Sequence, residues 1–288
     1  MATTVVKTIG AGGDYSTLQS WEDACPADLV TADQIWQGCV KNQVFSSASN
    51  LLTISGTTVD ATRYVELTTD TGASYLDSAS VRTNALRYNE ANGAAIKITG
   101  AYANAVVVNQ NYTRIYKLQF LSTGTSNGYM AGLSVNPAGA TDYCDIDRCI
   151  FEASNANNAS GFSALSLWGQ NTKVRRSLIL TKTTYASGYI AYFYYGASAY
   201  NCVFASLNAN LTVGIYNKYF SPAMQNCAVM NVASLFTGGA TWTLTTNKTD
   251  AASPPSGFTA AAFSTATFAN ISDGTHDFRT VTGSALIN

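Results

Sequence analysis

The stretch that decides the fold is Asp145-Ile146-Asp147-Arg148-Cys149-Ile150-Phe151, one of five related phrases between residues 101 and 250. Each phrase has an apolar residue, two variable residues, a small or apolar residue, and then further apolar residues. The other copies lie at 114–120, 173–179, 198–204 and 223–229. The small or apolar position is filled in turn by Leu118, Cys149, Ser177, Cys202 and Cys227. A repeat of roughly 25–30 residues predicts a stacked architecture, because one unit cannot bury its own apolar face.

A second apolar burst precedes the phrases, at 133–135, 165–167, 190–192 and 215–217. These bursts are short and separated by Gly, Asn, Ser and Thr, whereas a helical repeat needs amphipathic runs of about ten residues or more. A propeller blade needs about 40 residues and four strands. The sequence therefore predicts an all-β fold, a single parallel β-helix in which each strand stacks on the same strand of the next coil.

The chain divides into three parts of one structural domain. Residues 1–45 are predicted to form an N-terminal cap and first strands, residues 46–250 the coils, and residues 251–288 a C-terminal loop and closing strand. A short capping helix is expected to start at Ser16, with Gln19 completing a capping box. Leu18, Trp21 and Cys25 lie on one face of that helix.

Composition excludes several classes of partner. Only 11% of the 288 residues are charged and the net charge is −1, so no basic surface for nucleic acid is expected. The N-terminus lacks a basic segment followed by an apolar one, and no run of 18 apolar residues occurs. We therefore expect synthesis in a cytoplasm, without a signal peptide, and no membrane contact.

The repeat predicts which side chains point inward. These are Ile146, Val174, Leu165, Leu167, Ile190 and the small column Cys149, Ser177, Cys202 and Cys227. The cysteines are expected to be unpaired thiols, since a free cysteine packs as a small hydrophobe. No CxxC or Cys/His pair occurs, so neither a metal nor a cofactor is expected.

Asp145 and Asp147 are the weak catalytic candidates. At two-residue spacing they point to the same side of a strand, about 7 Å apart. Glycoside hydrolysis needs two carboxylates about 5–9.5 Å apart. One coil further on, however, their equivalents are Lys173 and Arg175, so no acidic column forms for a lyase. An enzyme is therefore less favoured than a non-catalytic protein.

A stripe of large aromatics is the candidate interface or ligand surface. If Ile190 and Tyr192 point inward, as equal spacing of the coils from Leu165 and Leu167 suggests, Tyr189, Ala191, Phe193 and Tyr195 point outward. One coil away lie Trp168 and Phe220, which complete the stripe Trp168, Phe193, Tyr195 and Phe220. A contiguous apolar patch marks an interface or groove. The alternative is that loops of this chain cover it.

The chain resembles the pectate-lyase-like right-handed β-helix superfamily. The repeats carry this likeness in a general way. Residues 13–24, GDYSTLQSWEDA, look like a cap of β-helix proteins from bacteria and tailed phages, and residues 277–279 with 283–288 look like a common bacterial β-helix ending. The resemblance implies a right-handed β-helix, and function only weakly. Phage members are tailspikes, fibres or head decorations; cellular members are often polysaccharide lyases and hydrolases.

The expected function is that of a non-enzymatic structural protein of a tailed-phage virion, first of all a head decoration or cement protein. Its partners would be the capsid or other virion proteins and further copies of itself, with a trimer favoured. One alternative is a tailspike, a fibre or a depolymerase, either lyase or glycoside hydrolase, acting on a surface polysaccharide. Another alternative is a carbohydrate-binding module.

Overall fold

The computed structural model describes most of the chain. It covers residues 1–77, 86–100, 102–123, 131–136, 143–154, 163–182, 188–208, 213–219, 221–239, 241–264, 268–271 and 277–280. All structural statements below concern these residues.

Short strands make up nearly all of the regular structure. In chain order, the elements are β1 (Thr3–Ile9), α1 (Leu18–Asp23), α2 (Leu29–Ala32), β2 (Gln34–Val40), β3 (Val44–Ser47), β4 (Leu52–Ile54), β5 (Val65–Thr69), a 3-10 helix (Glu90–Asn92), β6 (Ala95–Ile98), β7 (Val106–Val108), β8 (Thr113–Tyr116), β9 (Gln119–Ser122), β10 (Leu133–Val135), β11 (Cys144–Asp147), β12 (Ile150–Ala153), β13 (Leu165–Leu167), β14 (Lys173–Arg175), β15 (Leu178–Thr181), β16 (Ala191–Phe193), β17 (Ser198–Tyr200), β18 (Val203–Ser206), β19 (Val213–Asn217), β20 (Ala223–Gln225), β21 (Ala228–Met230), β22 (Ser234–Thr237), β23 (Thr243–Thr245), β24 (Asn247–Thr249), β25 (Phe258–Ala260), β26 (Phe268–Asn270) and β27 (Asp277–Thr280).

Three parallel sheets run along the molecule. Sheet 1 has nine strands in the order β1-β2-β5-β8-β11-β14-β17-β20-β23. Sheet 2 also has nine, β3-β6-β9-β12-β15-β18-β21-β24-β25, and sheet 3 has seven, β4-β7-β10-β13-β16-β19-β22. Successive strands of one sheet come from successive coils, and the central coils contribute one strand to each sheet. The fold is a right-handed parallel β-helix, as the sequence predicts.

The repeated phrase has the predicted register. Ile115 pairs with Ile146, Ile146 with Val174, and Val174 with Ala199, so the partners follow the spacing of the phrase in the sequence. The phrase spans a strand of sheet 1, a two-residue corner and a strand of sheet 2. Because this corner has the same length in every copy, sequence spacing translates directly into strand pairing.

A left-handed residue makes the corner between sheets 1 and 2. The positive φ angles in this column are Lys117 61°, Arg148 53°, Arg176 47°, Asn201 55°, Asn226 52° and Thr246 55°. The following residue points inward and binds the neighbouring coil. The Cys149 N–H donates to Ser177 Oγ at 3.1 Å, and the Cys227 N–H donates to Asn247 Oδ1 at 2.9 Å. Side chains of this column thus accept hydrogen bonds from backbone N–H groups at the corner. Without them, these N–H groups would be buried without partners.

The residues predicted to point inward are buried. Ile146, Val174, Cys149, Leu165, Leu167 and Ile190 are each 0% exposed, Cys202 and Cys227 are 1% exposed, and Ser177 is 4% exposed. All six cysteines are free thiols. The core is a continuous apolar column in which neighbouring coils stack like on like, as in the Phe120–Phe151 pair with ring centroids 4.8 Å apart.

The N-terminal helix covers the start of the coil, but it begins one residue later than predicted. Its N-cap is Thr17, not Ser16, and the capping box pairs Thr17 with Ser20 instead of Ser16 with Gln19. Gln19 is used differently, because its side chain accepts the Thr53 N–H at 2.8 Å. Leu18 and Trp21 are buried against the core, as their spacing predicts.

Part of the outer face of sheet 2 is apolar and covered by the chain itself. Ile150, Leu178, Leu180 and Met230 form a second buried cluster there, together with Phe268 and Phe278 of the antiparallel β26–β27 hairpin. The hairpin is fixed to the loop before β6, since the Phe278 N–H donates to the Leu86 carbonyl at 3.2 Å and the Leu86 N–H donates to Asp277 Oδ1 at 2.8 Å. The apolar part of this face is therefore not available to a partner.

Candidate functional site

The predicted register of β16, a strand of sheet 3, is wrong by one residue. Equal spacing of the coils made Ile190 the expected partner of Leu165, but Leu165 pairs with Ala191, and Ala191 in turn pairs with Ile215. Because side chains alternate along a strand, a slip of one residue exchanges the inner and outer faces. Ala191 and Phe193 therefore point inward and are 0% exposed, while Tyr192 points outward.

The outer face of sheet 3 consequently carries a different set of aromatic side chains. We call it the tyrosine patch, and it comprises Trp168, Tyr189, Tyr192, Tyr194, Tyr195, Tyr216 and Tyr219. Tyr192 and Tyr216 occupy paired positions of β16 and β19. The other members lie just before or after the strands. Tyr195 and Tyr219 are the most exposed, at 37% and 43%.

The rings of the tyrosine patch stack on one another along the helix axis. Tyr192 and Tyr216 have centroids 4.6 Å apart and planes inclined by 8°, and Trp168 and Tyr194 are 4.1 Å apart. Tyr195 and Tyr219 form a further stacked pair at 5.5 Å. Such stacking covers ring faces, and hydroxyl groups bond within the patch: Tyr192 with Tyr216, and Tyr194 with Lys218 and Tyr219.

Lys218 supplies a positive charge within the patch. Its ammonium lies 3.0 Å from the Tyr194 hydroxyl oxygen and about equally far above two rings, 5.0 Å from the centroid of Tyr194 and 5.1 Å from that of Tyr219. The hydrogen bond from Lys218 lowers the pKa of Tyr194, and the hydroxyl groups of Tyr194 and Tyr219 raise the pKa of Lys218. The amine therefore remains charged throughout the physiological range.

The sequence identified part of this surface. Trp168, Tyr189 and Tyr195 belong to the tyrosine patch, Phe193 lies in the core, and Phe220 lies outside the described residues. Tyr192, Tyr194, Tyr216 and Tyr219 were missed. The signal was present in the bursts themselves: aligning Leu165-Ser166-Leu167 with Ala191-Tyr192-Phe193 and Ile215-Tyr216-Asn217 puts a polar or hydroxyl-bearing residue at each centre.

Asp145 and Asp147 do share the outer face of sheet 1, since Cys144 and Ile146 of the same strand are buried. Each carboxylate is held in an ion pair from the next coil. Arg175 binds Asp145, and the Arg176 Nε–H donates to Asp147 Oδ1 at 2.7 Å. These ion pairs give the two aspartates a structural use, and a catalytic role for them stays a prediction.

The described residues offer neither a metal site nor a membrane-spanning helix. They hold no group of three or more His, Cys, Asp or Glu side chains that could bind a metal ion. They also hold no helix of the length and hydropathy needed to cross a membrane.

Comparison with known proteins gives a likeness in fold. No protein-family model matches the chain, and no curated protein matches it. Among solved structures, it is similar to the deglycosylated pectin methylesterase from Aspergillus niger, with 14% identity and a TM-score of 0.49. A second, penultimately deglycosylated form of that enzyme gives 12% identity and a TM-score of 0.45. Both alignments cover 92% of this chain and 93% of the other. Likeness at this level transfers no activity.

Proposed function

We propose that this β-helix is a non-enzymatic structural protein that assembles with further copies of itself through the tyrosine patch. The observation that carries the proposal is the row of stacked, outward-facing rings on sheet 3. Tyrosine and tryptophan are enriched in protein interfaces, where they supply large contact areas at a low cost in side-chain entropy.

The ring geometry favours a protein partner over a sugar. A sugar stacks on an open ring face, but in Tyr192 and Tyr216, and in Trp168 and Tyr194, each ring covers a face of its neighbour. A tyrosine hydroxyl both donates and accepts hydrogen bonds, so those of the patch can also bond to groups of a protein partner. Such a surface can bind neighbouring copies of this chain, where the ammonium of Lys218 can find hydroxyl and ring partners.

The proposed setting is a tailed-phage virion, with head decoration as the first choice and a spike or fibre as the second. The support is the resemblance of residues 13–24 to a cap of β-helix proteins from bacteria and tailed phages, together with the low charge of 11%, which suits close packing in an assembly. We further propose a trimer, with the capsid as the outer partner. Detection of its peptides in purified particles of the phage that carries the gene would test the setting.

The assembly proposal is tested by sedimentation velocity over a range of protein concentrations. Wild type is expected to sediment as a trimer, and Tyr192→Ser with Tyr216→Ser is expected to shift the population to monomer. The control is Tyr200→Ser with Gln225→Ser, a paired position on the outer face of sheet 1, which should leave the trimer intact. A monomeric wild type, or an unchanged trimer in the patch variant, contradicts the proposal. If the patch variant instead loses binding to a host polysaccharide, the patch is a glycan site.

A further inference from the structure

Two rings of the tyrosine patch are both exposed and lie face to face. Tyr195 and Tyr219 are 37% and 43% exposed, and their rings stack with centroids 5.5 Å apart and planes inclined by 17°. In every other stacked pair of aromatic rings among the described residues, at least one ring is half-buried or buried. Tyr195 and Tyr219 are therefore the stacked pair most accessible to a reagent in solution.

The backbone around this pair is less constrained than the strands of sheet 3. Tyr195 follows β16 and Tyr219 follows β19, so neither residue lies within a strand. Tyr192 and Tyr216, by contrast, occupy paired strand positions. The Tyr219 N–H still donates to the Tyr194 carbonyl at 3.0 Å, which keeps the two coils together at this point. The two exposed rings can thus approach each other without a shift in the register of the sheet.

Tyr194 supports the pair from one side. Its ring packs edge-on against both rings, with its centroid 4.7 Å from that of Tyr195 and 5.1 Å from that of Tyr219. Edge-to-face contacts of this kind are favourable. Tyr194 is itself fixed, because its ring stacks on Trp168 at 4.1 Å and its hydroxyl oxygen accepts a hydrogen bond from Lys218. The faces of Tyr195 and Tyr219 are therefore held opposite each other before any reaction.

We propose that Tyr195 and Tyr219 form a site of oxidative cross-linking, at which hydrogen peroxide, with a haem peroxidase as catalyst, converts the two phenols into one dityrosine. Each phenol loses one electron and its hydroxyl proton, and the two phenoxyl radicals couple through a carbon–carbon bond between ring positions next to the hydroxyl groups. The hydrogen displaced from each of these ring positions moves to the oxygen of the same ring, so both hydroxyl groups are restored. Hydrogen peroxide takes up the two electrons and the two protons, its O–O bond breaks, and two molecules of water leave.

The dityrosine joins two neighbouring coils covalently. It closes a loop from Tyr195 to Tyr219 that contains β17 and β18. All six cysteines are free thiols, so no disulfide already links these coils. A cross-link that closes a loop restricts the unfolded chain and so favours the folded state. The reaction belongs to the free chain, in which the patch is open, and it rests on the ring geometry and not on the assembly proposed above.

Oxidation of the full chain with hydrogen peroxide and a haem peroxidase tests the proposal. The protein is first diluted until it sediments as a monomer, so that the patch is open to the reagent. Dityrosine fluorescence follows the reaction, and denaturing electrophoresis shows whether the link lies within one chain. The oxidised wild type is expected to stay at the size of a single chain and to melt at a higher temperature than oxidised Tyr219→Phe. Equal melting temperatures would contradict the stabilising effect of the link.

Tryptic peptides identify the linked residues. Trypsin cuts after lysine and arginine, which places Tyr195 on peptide 183–218 and Tyr219 on peptide 219–248. Tyr219 is the only tyrosine of its peptide. Because each peptide also contains a cysteine, reduction and alkylation come before digestion. Mass spectrometry is expected to find the two peptides joined, with a mass equal to their sum less two hydrogen atoms.

Matched variants assign the link to this pair. Tyr195→Phe and Tyr219→Phe each keep a ring in the stack but remove the phenol, and each is expected to abolish the joined peptide. The control is Tyr200→Phe, which changes a tyrosine of peptide 183–218 that lies on the outer face of sheet 1, and it should leave the joined peptide unchanged. The proposal is overturned if wild type gives no joined peptide, if Tyr195→Phe or Tyr219→Phe still gives it, or if the link forms between chains instead.

Discussion

At the scale of single residues, each coil depends on a corner residue in a left-handed conformation, which most residues adopt only at a cost in free energy. A left-handed φ places Cβ close to the backbone, which costs an L-residue about 1–2 kcal/mol, and Asn tolerates it best because its short polar side chain bonds locally. Asn201 and Asn226 fill this corner in two coils, but Thr246, with φ 55°, is β-branched. The corner was not predicted, because Lys117, Arg148 and Arg176 give no left-handed signal.

Replacing Thr246 should therefore stabilise the protein. Thr246→Asn is expected to raise the free energy of unfolding by about 0.5–1 kcal/mol, since Asn relieves the β-branched strain. Its amide can replace the Thr246 hydroxyl as donor to Asn226. Urea denaturation measures the change. Thr245→Asn, at the exposed strand position just before it, is the control and should bring no gain. A loss of stability in Thr246→Asn contradicts this explanation of the corner.

Val174 tests the inward register of sheet 1. It is 0% exposed, so Val174→Asp places an unpaired charge in the core and should destabilise the fold by about 3 kcal/mol or more. The matched control is Ser198→Asp, which lies on the outer face opposite Lys173 in register and should be nearly neutral. Thermal melting compares the two. Equal melting temperatures would contradict the register.

Because burial raises the pKa of the core thiols, the free energy of unfolding is expected to fall at alkaline pH. Burial raises the pKa of Cys149 from 9.0 to about 12. Above pH 9 the unfolded chain loses this proton and the folded chain keeps it, so stability falls as pH rises toward 12. Between pH 8 and 10.5, Cys149→Ser should lose less stability than wild type, by on the order of 2 kcal/mol. An equal loss in both proteins, measured by urea denaturation, would mean that the thiol is not buried as described.

At the scale of elements, the repeat predicted some strands better than others for a physical reason. Sheets 1 and 2 are joined by a corner of constant length, so the phrase fixes both. Sheet 3 is flanked by segments whose lengths vary between coils, so the partner of Leu165 lies one position beyond Ile190, while the next partner is Ile215 as equal spacing expects. Since strand period is two, a misplacement of one residue leaves the strand in place and inverts its faces.

A pair of adjacent substitutions distinguishes the two registers of β16. Phe193→Ser should destabilise the protein by about 3–5 kcal/mol, because it empties a core position. Tyr192→Ser should cost less than about 1 kcal/mol, because its ring lies on the outer face. Urea denaturation of both variants gives the comparison. If Tyr192→Ser were the more destabilising of the two, the register expected from equal spacing would be the correct one.

The cover over sheet 2 could have been expected from the sequence. Leu178-Ile179-Leu180 is apolar at consecutive positions, and a strand buried on both faces reads in this way. Its inner residue, Ile179, joins the coil core, while Leu178 and Leu180 meet the hairpin. Which segment supplies the cover could not be predicted, because the contact between Phe278 and Leu86 joins distant parts of the chain.

At the scale of the whole molecule, the three sheets present different outer surfaces. Sheet 1 carries alternating charges, with Glu66, Arg114, Asp145 and Lys173 in successive register positions. Sheet 2 carries an apolar cluster that the hairpin covers. Sheet 3 presents the tyrosine patch. The repeat predicted the fold but not the different outer surfaces of the three sheets. Outer residues vary freely between coils, and only the strand pairing shows which of them are neighbours.

The central claim is that the tyrosine patch is the contact between copies in the assembled protein. Electron cryomicroscopy of the assembled wild-type protein tests it most directly. We expect a closed trimer in which the Tyr192 and Tyr216 rings are buried against a neighbouring copy. An assembly in which these rings face solvent, with the copies joined through sheet 1 or through the ends of the coil, would contradict it.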